Sequence, residues 1–180
     1  MTGNPSQPSA YPEVEAPQQD SLAATGVELR PTAFDSPEAG TLIAALQQEY
    51  LVRYGGYDET PVDPAEFAPP QGWFVVAWIG DTPVGCGGWR AHPLPGGSAS
   101  AAEIKRMFVA AAARRRGVAR TLLAELERTA AAAGYARLIL EAGDQQPEAV
   151  ALYTAAGYRE AAPFGLYVEE EGSLYFAKEL

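Results

Sequence analysis

The residues best suited to chemistry in this chain form the run Arg114-Arg115-Arg116-Gly117-Val118-Ala119, set between an apolar stretch and a helical one. The first turn of a helix presents backbone N–H groups with no intrahelical partner, and the macrodipole makes that end positive. Gly117 has no Cβ, so a bulky anion can come close to the main chain. Ala119 keeps the wall low, and three arginines raise the local positive potential. Together these meet the requirements of a diphosphate cradle. The Lys-Ser/Thr pair that follows the glycine of a P-loop is missing, which argues against a site of that kind.

Other reactive side chains are weaker candidates. Cys86, the sole cysteine, has neither a paired histidine nor basic neighbours to make a thiolate, and reads as a buried strand residue. Gly85, Gly87 and Gly88 around it mark a bulge rather than a second phosphate loop. Trp89 and Arg90 either line a binding site or pack. His92, the single histidine, sits in a connector that runs to residue 100. Asp58, Glu59, Asp63 and Glu66 belong to a proline-bearing loop over residues 57–72, which either meets a cationic partner or is simply solvated.

These residues need elements to position them. Ile104, Met107, Phe108 and Val109 predict a strand over residues 102–110. Val118, Leu122, Leu123, Leu126 and Ala130 fall on one face of a helix that begins near Gly117, with Arg120, Glu125 and Arg128 outside that face. Before them, residues 27–34 predict a short first strand whose Pro31 marks an edge or a bend. Ser36-Pro37-Glu38 then starts a helix that runs to about Tyr54, buries Leu42, Leu46 and Leu51, and stops at Gly55-Gly56. Residues 73–80 and 83–89 form a hairpin around Gly80-Asp81-Thr82. After the long helix come a buried strand over 137–141, a helix over 147–156 capped by Gly157, a short strand from Tyr158 and a closing strand over 173–180.

At 180 residues and 47% hydrophobic content the chain suits one domain with a sizeable core. No apolar run approaches the ~18 residues of a membrane span, and the N-terminus lacks the basic and apolar regions of a secretory signal. Residues 1–25, rich in Pro, Gln, Ser and Ala, read as a flexible tail in which Tyr11 and Val14 are the docking-type positions; residues 26–180 form the domain. One cysteine excludes an internal disulfide framework and fits a reducing cytoplasm. A formal net charge of −10 argues against nucleic acid as a partner and is compatible with a cationic substrate such as an amine.

Arg114-x-x-Gly117-x-Ala119, preceded by KRMFV and followed by Leu122-Leu123, resembles the cofactor motif of the GNAT superfamily of acetyl-CoA-dependent N-acetyltransferases. The segment QPEAVALYTAAGYRE, residues 146–160, resembles the family's later helix-turn-strand motif. The likeness runs from about Val27 to the C-terminus. Ala111-Ala112-Ala113 stands where many relatives place a proline and an aromatic, a departure that leaves a backbone cradle intact. The resemblance implies a single α/β domain with a mixed, mostly antiparallel central sheet, splayed central strands and helices on both faces. It implies transfer of an acetyl group from acetyl-CoA to a primary amine by direct attack in a ternary complex, with a non-catalytic acyl-CoA-binding or sensing module as the alternative. The implied partners are acetyl-CoA and an amine acceptor, with no nucleic acid and no membrane, in a monomer or homodimer.

Site residues follow from the same likeness. The pantetheine arm would run between the splayed strands and pair with backbone groups of Phe108 and Val109. Backbone N–H groups of Arg115, Arg116, Gly117, Val118, Ala119 and Arg120 would hold the diphosphate, with the side chains of Arg114, Arg115 and Arg116 near its oxygens. Gln146 stands where relatives often have an asparagine on the cofactor arm. Tyr153, in the Leu152-Tyr153 pair, would protonate the departing thiolate, and a backbone N–H near Val109 would polarise the thioester carbonyl. The base is open. Glu103 lies on the right strand and, by strict alternation, on the face of Lys105, Met107 and Val109. At roughly 3.3 Å per residue it is about 13 Å from Met107, so a water chain would be required. Glu141 and His92 compete for the role.

Overall fold

Ser36 stands in extended conformation and its side chain accepts from the Ala39 N–H, which starts helix α1, Pro37–Tyr54; Gly55 ends it in the left-handed region at φ 76°. The computed structural model describes residues 26–93, 100–165, 168 and 171–180. The expected tail over residues 1–25 and most of the connector after His92 lie outside the described residues.

Seven strands follow the order β1-β2-β3-β4-β5-β7-β6: β1 Val27–Pro31, β2 Gly72–Ile79, β3 Thr82–Pro93, β4 Ser100–Val109, β5 Arg137–Gly143, β6 Arg159–Glu160 and β7 Ser173–Glu179. Every neighbouring pair is antiparallel except β4 with β5. Helix α2 covers Val118–Ala132 and α3 covers Pro147–Ala155. This is the single α/β domain with a mostly antiparallel sheet and helices on both faces that the sequence implies.

Alternation along β2 divides the core into two layers. Trp73, Val75 and Ala77 pack with Leu122, Leu123 and Leu126 of α2 and with Tyr153 of α3. Phe74 and Val76 pack with Ala39, Leu42 and Leu46 of α1 on the other face. The first strand ends at Pro31, short of Phe34, because Phe34 turns into the second layer and stacks on Phe67 with ring centroids 4.6 Å apart. Leu51, expected in the core, is 38% exposed: the last turns of α1 direct Tyr50 and Tyr54 toward the sheet, Tyr54 against Gly143 of β5, and leave Leu51 outside that face. Glu125, expected on the outer face of α2, is buried; Arg128 pairs with its carboxylate at 2.7 Å. Its carbonyl accepts from Thr129, whose hydroxyl also accepts from the Trp89 indole at 2.8 Å.

One irregularity decides which side chains meet. Cys86 pairs with Phe108 and Gly88 with Lys105, so Gly87 alone faces both Arg106 and Met107. The expected bulge is therefore present, with its extra residue on β4 and Arg106 held at φ 59°. A Cβ on Gly87 would come within 2.7 Å of the Met107 sulfur, so the glycine opposite the bulge leaves room for that side chain. The bulge reverses the alternation. Ala102, Ile104, Met107 and Val109 belong to the α2 side, while Phe108 packs on the α1 side. The placement of Glu103 on the face of Met107 and Val109 is thus corrected: strict alternation fails between Lys105 and Met107.

Leu126 is fully buried between α2 and the sheet, whereas Val52 is 86% exposed. Leu126→Ala should cost about 2–5 kcal/mol of unfolding free energy. Val52→Ala should stay within roughly 0.5 kcal/mol. Urea denaturation of the two variants against the parent checks both.

Candidate active site

The parallel pairing of β4 with β5 consists of Ala102↔Leu138 and Glu103↔Ile139 and goes no further. Beyond it the strands part, each held from its outer side by an antiparallel neighbour, β3 for β4 and β7 for β5. Main-chain donors and acceptors on the parted edges thus lack a strand partner, as a site for an extended ligand requires.

At the far end of β4 stands α2. Gly117 is its N-cap at φ 84°, a conformation glycine adopts without strain, and no side chain caps the helix. The intrahelical ladder opens with the Thr121 N–H on the Gly117 carbonyl at 3.1 Å, so the N–H groups of Val118, Ala119 and Arg120 precede it. Arg115, in the left-handed region at φ 62°, Arg116 and Arg120 are exposed around this turn. A diphosphate fits such a cradle on charge, backbone access and the absence of a competing cap. Arg114 is placed differently. Its Nε donates to the Val109 carbonyl at 3.0 Å and it is ion-paired with Glu49 of α1.

Tyr153 points into the layer beneath α2 and α3, edge-on to Tyr158 at 5.6 Å and beside Phe176 at 6.4 Å. Burial pushes its pKa up, so the phenol keeps its proton. Tyr50 of α1 approaches from the opposite face. Burial also raises its pKa, reinforced by Asp58 and Tyr153 and opposed by Arg106, so these four groups lie within electrostatic reach of one another. Gln146 is the residue before α3; its side-chain oxygen accepts the Gly143 N–H at 3.4 Å, which turns the amide back toward the end of β5.

The α1 side of the sheet carries a buried charge network. Glu103, 3% exposed, lies 3.0 Å from Arg90, 3.2 Å from Lys105 and 3.6 Å from His92. Arg90 also holds Glu66 at 2.7 Å. Arg106 is paired with Asp58. Burial works to raise the Asp58 pKa, but the Arg106 guanidinium, with hydrogen bonds from Thr60 and the charge of Lys105, outweighs it and holds the carboxyl low. Glu141, two residues beyond the last β4–β5 pair, is half-buried and accepts from the Ser173 hydroxyl at 2.8 Å. Burial raises its pKa; Ser173 and Lys105 pull it back, while Asp58 and Glu103 push it up. Cys86 is fully buried and its thiol is pushed up to about 12 by burial, in keeping with an inert strand cysteine.

The structure therefore gathers Asp58, Glu103 and Glu141 around Lys105, and brings Tyr50 toward Tyr153. Tyr50, Lys105, Arg106, Ser173 and Glu49 were not singled out by sequence reasoning. The available signal was the odd placement of charged residues inside an otherwise apolar strand, Glu103-Ile104-Lys105-Arg106.

Comparison with known proteins agrees with this geometry. Residues 34–158 match the model of the acetyltransferase (GNAT) family. An IAA acetyltransferase from Azospirillum brasilense is 40% identical over 119 residues, 66% of this chain and 75% of the relative. An uncharacterized N-acetyltransferase, YsnE, from Bacillus subtilis is 34% identical over 113 residues, 62% of this chain and 72% of the relative. Among solved structures, a Klebsiella pneumoniae protein of the acyl-CoA N-acyltransferase kind superposes with TM-score 0.69 at 28% identity, covering 87% of this chain and 99% of that one. A GNAT family acetyltransferase from Elizabethkingia anophelis, solved with acetyl-CoA bound, shares the fold with TM-score 0.56 at 18% identity, over 86% and 99% of the two chains.

Because the Asp58 pKa is depressed in the fold, its contribution to stability is present above its unfolded value of about 3.9 and fades as pH falls through the folded value. Asp58→Asn should therefore be destabilised relative to the parent near neutral pH, and the difference should shrink as the pH is lowered past that point. Chemical denaturation of both chains across the acid range checks this.

Proposed function

The chain belongs to the acetyltransferase (GNAT) family, and on that premise we propose that it transfers an acetyl group from acetyl-CoA to a primary amine by direct attack in a ternary complex. The observation that carries this reading is the parting of β4 and β5 directly beyond Glu103↔Ile139, with the open N-terminus of α2 at the end of the parted β4. The family uses acetyl-CoA, which when bound supplies an activated acyl thioester. Main-chain N–H groups from Arg115 to Arg120 hold the diphosphate, and backbone groups of Phe108 and Val109 orient the pantetheine arm, with Gln146 beside it.

Two side chains then handle protons from opposite faces of the sheet. Tyr153 keeps its proton at neutral pH and donates it to the thiolate as the acyl bond breaks. Glu141 takes a proton from the incoming ammonium so that a neutral amine attacks. The geometry favours Glu141 over Glu103, because Arg90, Lys105 and His92 already surround both Glu103 oxygens. Glu141 has one hydroxyl partner and a pKa raised toward the working range of a base. Glu103 instead orients Lys105, which moderates the Glu141 carboxylate. Positioning of donor and acceptor in one cleft contributes most of the rate.

The primary test is release of the CoA thiol across an amine panel. Turnover that depends on amine is expected; CoA binding with no amine-dependent release would favour a sensing module instead. Tyr153→Phe should lower kcat roughly 10²-fold while leaving CoA affinity in place, and an unchanged rate removes the proton-donor role. Glu141→Gln should lower kcat/KM by about the same factor and flatten the acid limb of the pH profile, whereas Glu103→Gln should keep that limb. Gly117→Glu should abolish CoA binding while the domain still folds, read by calorimetry and circular dichroism.

A further inference from the structure

Four charged side chains form a ladder across the open end of the β4–β5 cleft that the reaction above does not use. Arg114, in the turn before α2, is ion-paired with Glu49 of α1 and donates to the Val109 carbonyl at 3.0 Å. Glu49 also lies 3.8 Å from Arg53, one turn further along α1. Arg53 donates to the Gln145 carbonyl at 2.6 Å and is paired with Glu148 in the first turn of α3. The ladder thus ties the end of β4 to the start of α3, the two segments that flank the cleft. A groove of about 370 Å3 beside it is lined by Gln48, Glu49, Val52, Arg53 and Arg114.

Arg114 stands three residues before the Gly117 cap, in the turn that would hold a diphosphate, yet its guanidinium is already committed to a carboxylate and a carbonyl. We propose that Glu49 sets the affinity for the donor: it holds Arg114 across the mouth of the cleft, and the diphosphate binds by taking Arg114 from it. This rests on the donor reading above. A guanidinium accepts a carboxylate or a phosphate in the same planar geometry, so the two anions are direct competitors. The side chains of Arg114 and Glu49 are 38% and 29% exposed, so water and salt screen the pair and it yields to a more highly charged rival. Exchange also uncovers the Val109 carbonyl, a main-chain acceptor at the parted end of β4. The Arg53 half of the ladder keeps α1 in place while the Arg114 half opens. Glu49 acts through Arg114 and is a positioning residue.

The test is calorimetric titration of CoA into the full chain and into Glu49→Gln, Arg114→Gln and the double variant. Glu49→Gln should tighten the Kd for CoA roughly two- to five-fold, the range of a half-exposed ion pair. The gain should vanish when Glu49→Gln is made in the Arg114→Gln background. Equal tightening in both backgrounds would mean plain repulsion between Glu49 and the phosphates and overturns the proposal. An unchanged or weaker Kd for Glu49→Gln overturns it too, while leaving the acetyl-CoA reading standing. A parent chain that takes up no CoA overturns both. Melting of the unliganded variants near the parent temperature shows that the altered affinity is not a loosened fold.

Discussion

A parallel strand pair that stops pairing after two residues leaves main-chain groups with no strand partner among the described residues, and buried groups of that kind need a partner from elsewhere. The rest of the molecule is arranged to keep the gap open. Antiparallel neighbours hold each strand from behind, through seven residue pairs in the case of β5 with β7. Helix α2 brings its uncapped N-terminus to the end of β4, and α1 crosses the opposite side. The absent ladder is therefore a built feature, maintained by packing that holds the two strands apart.

The second constraint is electrostatic. Taking charges out of water is costly unless each is paired, and on the α1 face nearly every one is. Arg90 and Lys105 offset Glu66 and Glu103, and Arg106 offsets Asp58. Glu141 stands apart: among the described residues no cation lies within ion-pair distance of it, and a hydroxyl is its hydrogen-bond partner. A site balanced in this way keeps one acid able to change its protonation without collapsing the charges around it. Clamping Glu103 and leaving Glu141 loosely held are two sides of the same arrangement.

Much of this was legible in the chain, and the exceptions have physical causes. Local signals were reliable: the Ser36 cap, the Gly80-Asp81 hairpin turn, the apolar stripe of α2 and the glycine before it each act within a few residues. What periodicity could not supply was a break in period. The bulge at Arg106 shows only in the pairing with another strand, where Gly87 lies opposite, so alternation read along β4 alone placed Glu103 on the face of Met107. Leu51 and Glu125 were misjudged for a related reason: helical spacing gives a stripe, but which edge of that stripe the neighbouring elements cover is a tertiary fact. The acidic loop carried a usable signal in Asp63-Pro64-Ala65-Glu66, a capping box that folds as a short 3-10 turn Pro64–Phe67 and positions Glu66 for Arg90.

Cys86 has a practical corollary. The chain has no other cysteine, and this one is walled in between Phe108 and the α1 layer with its thiol held protonated. Colorimetric thiol reagents added to the native protein will therefore report free coenzyme released into solution with little background from the protein itself. For the same reason a cysteine introduced on the surface would be the single reactive handle for a fluorophore or spin label, with no native sulfur to remove first.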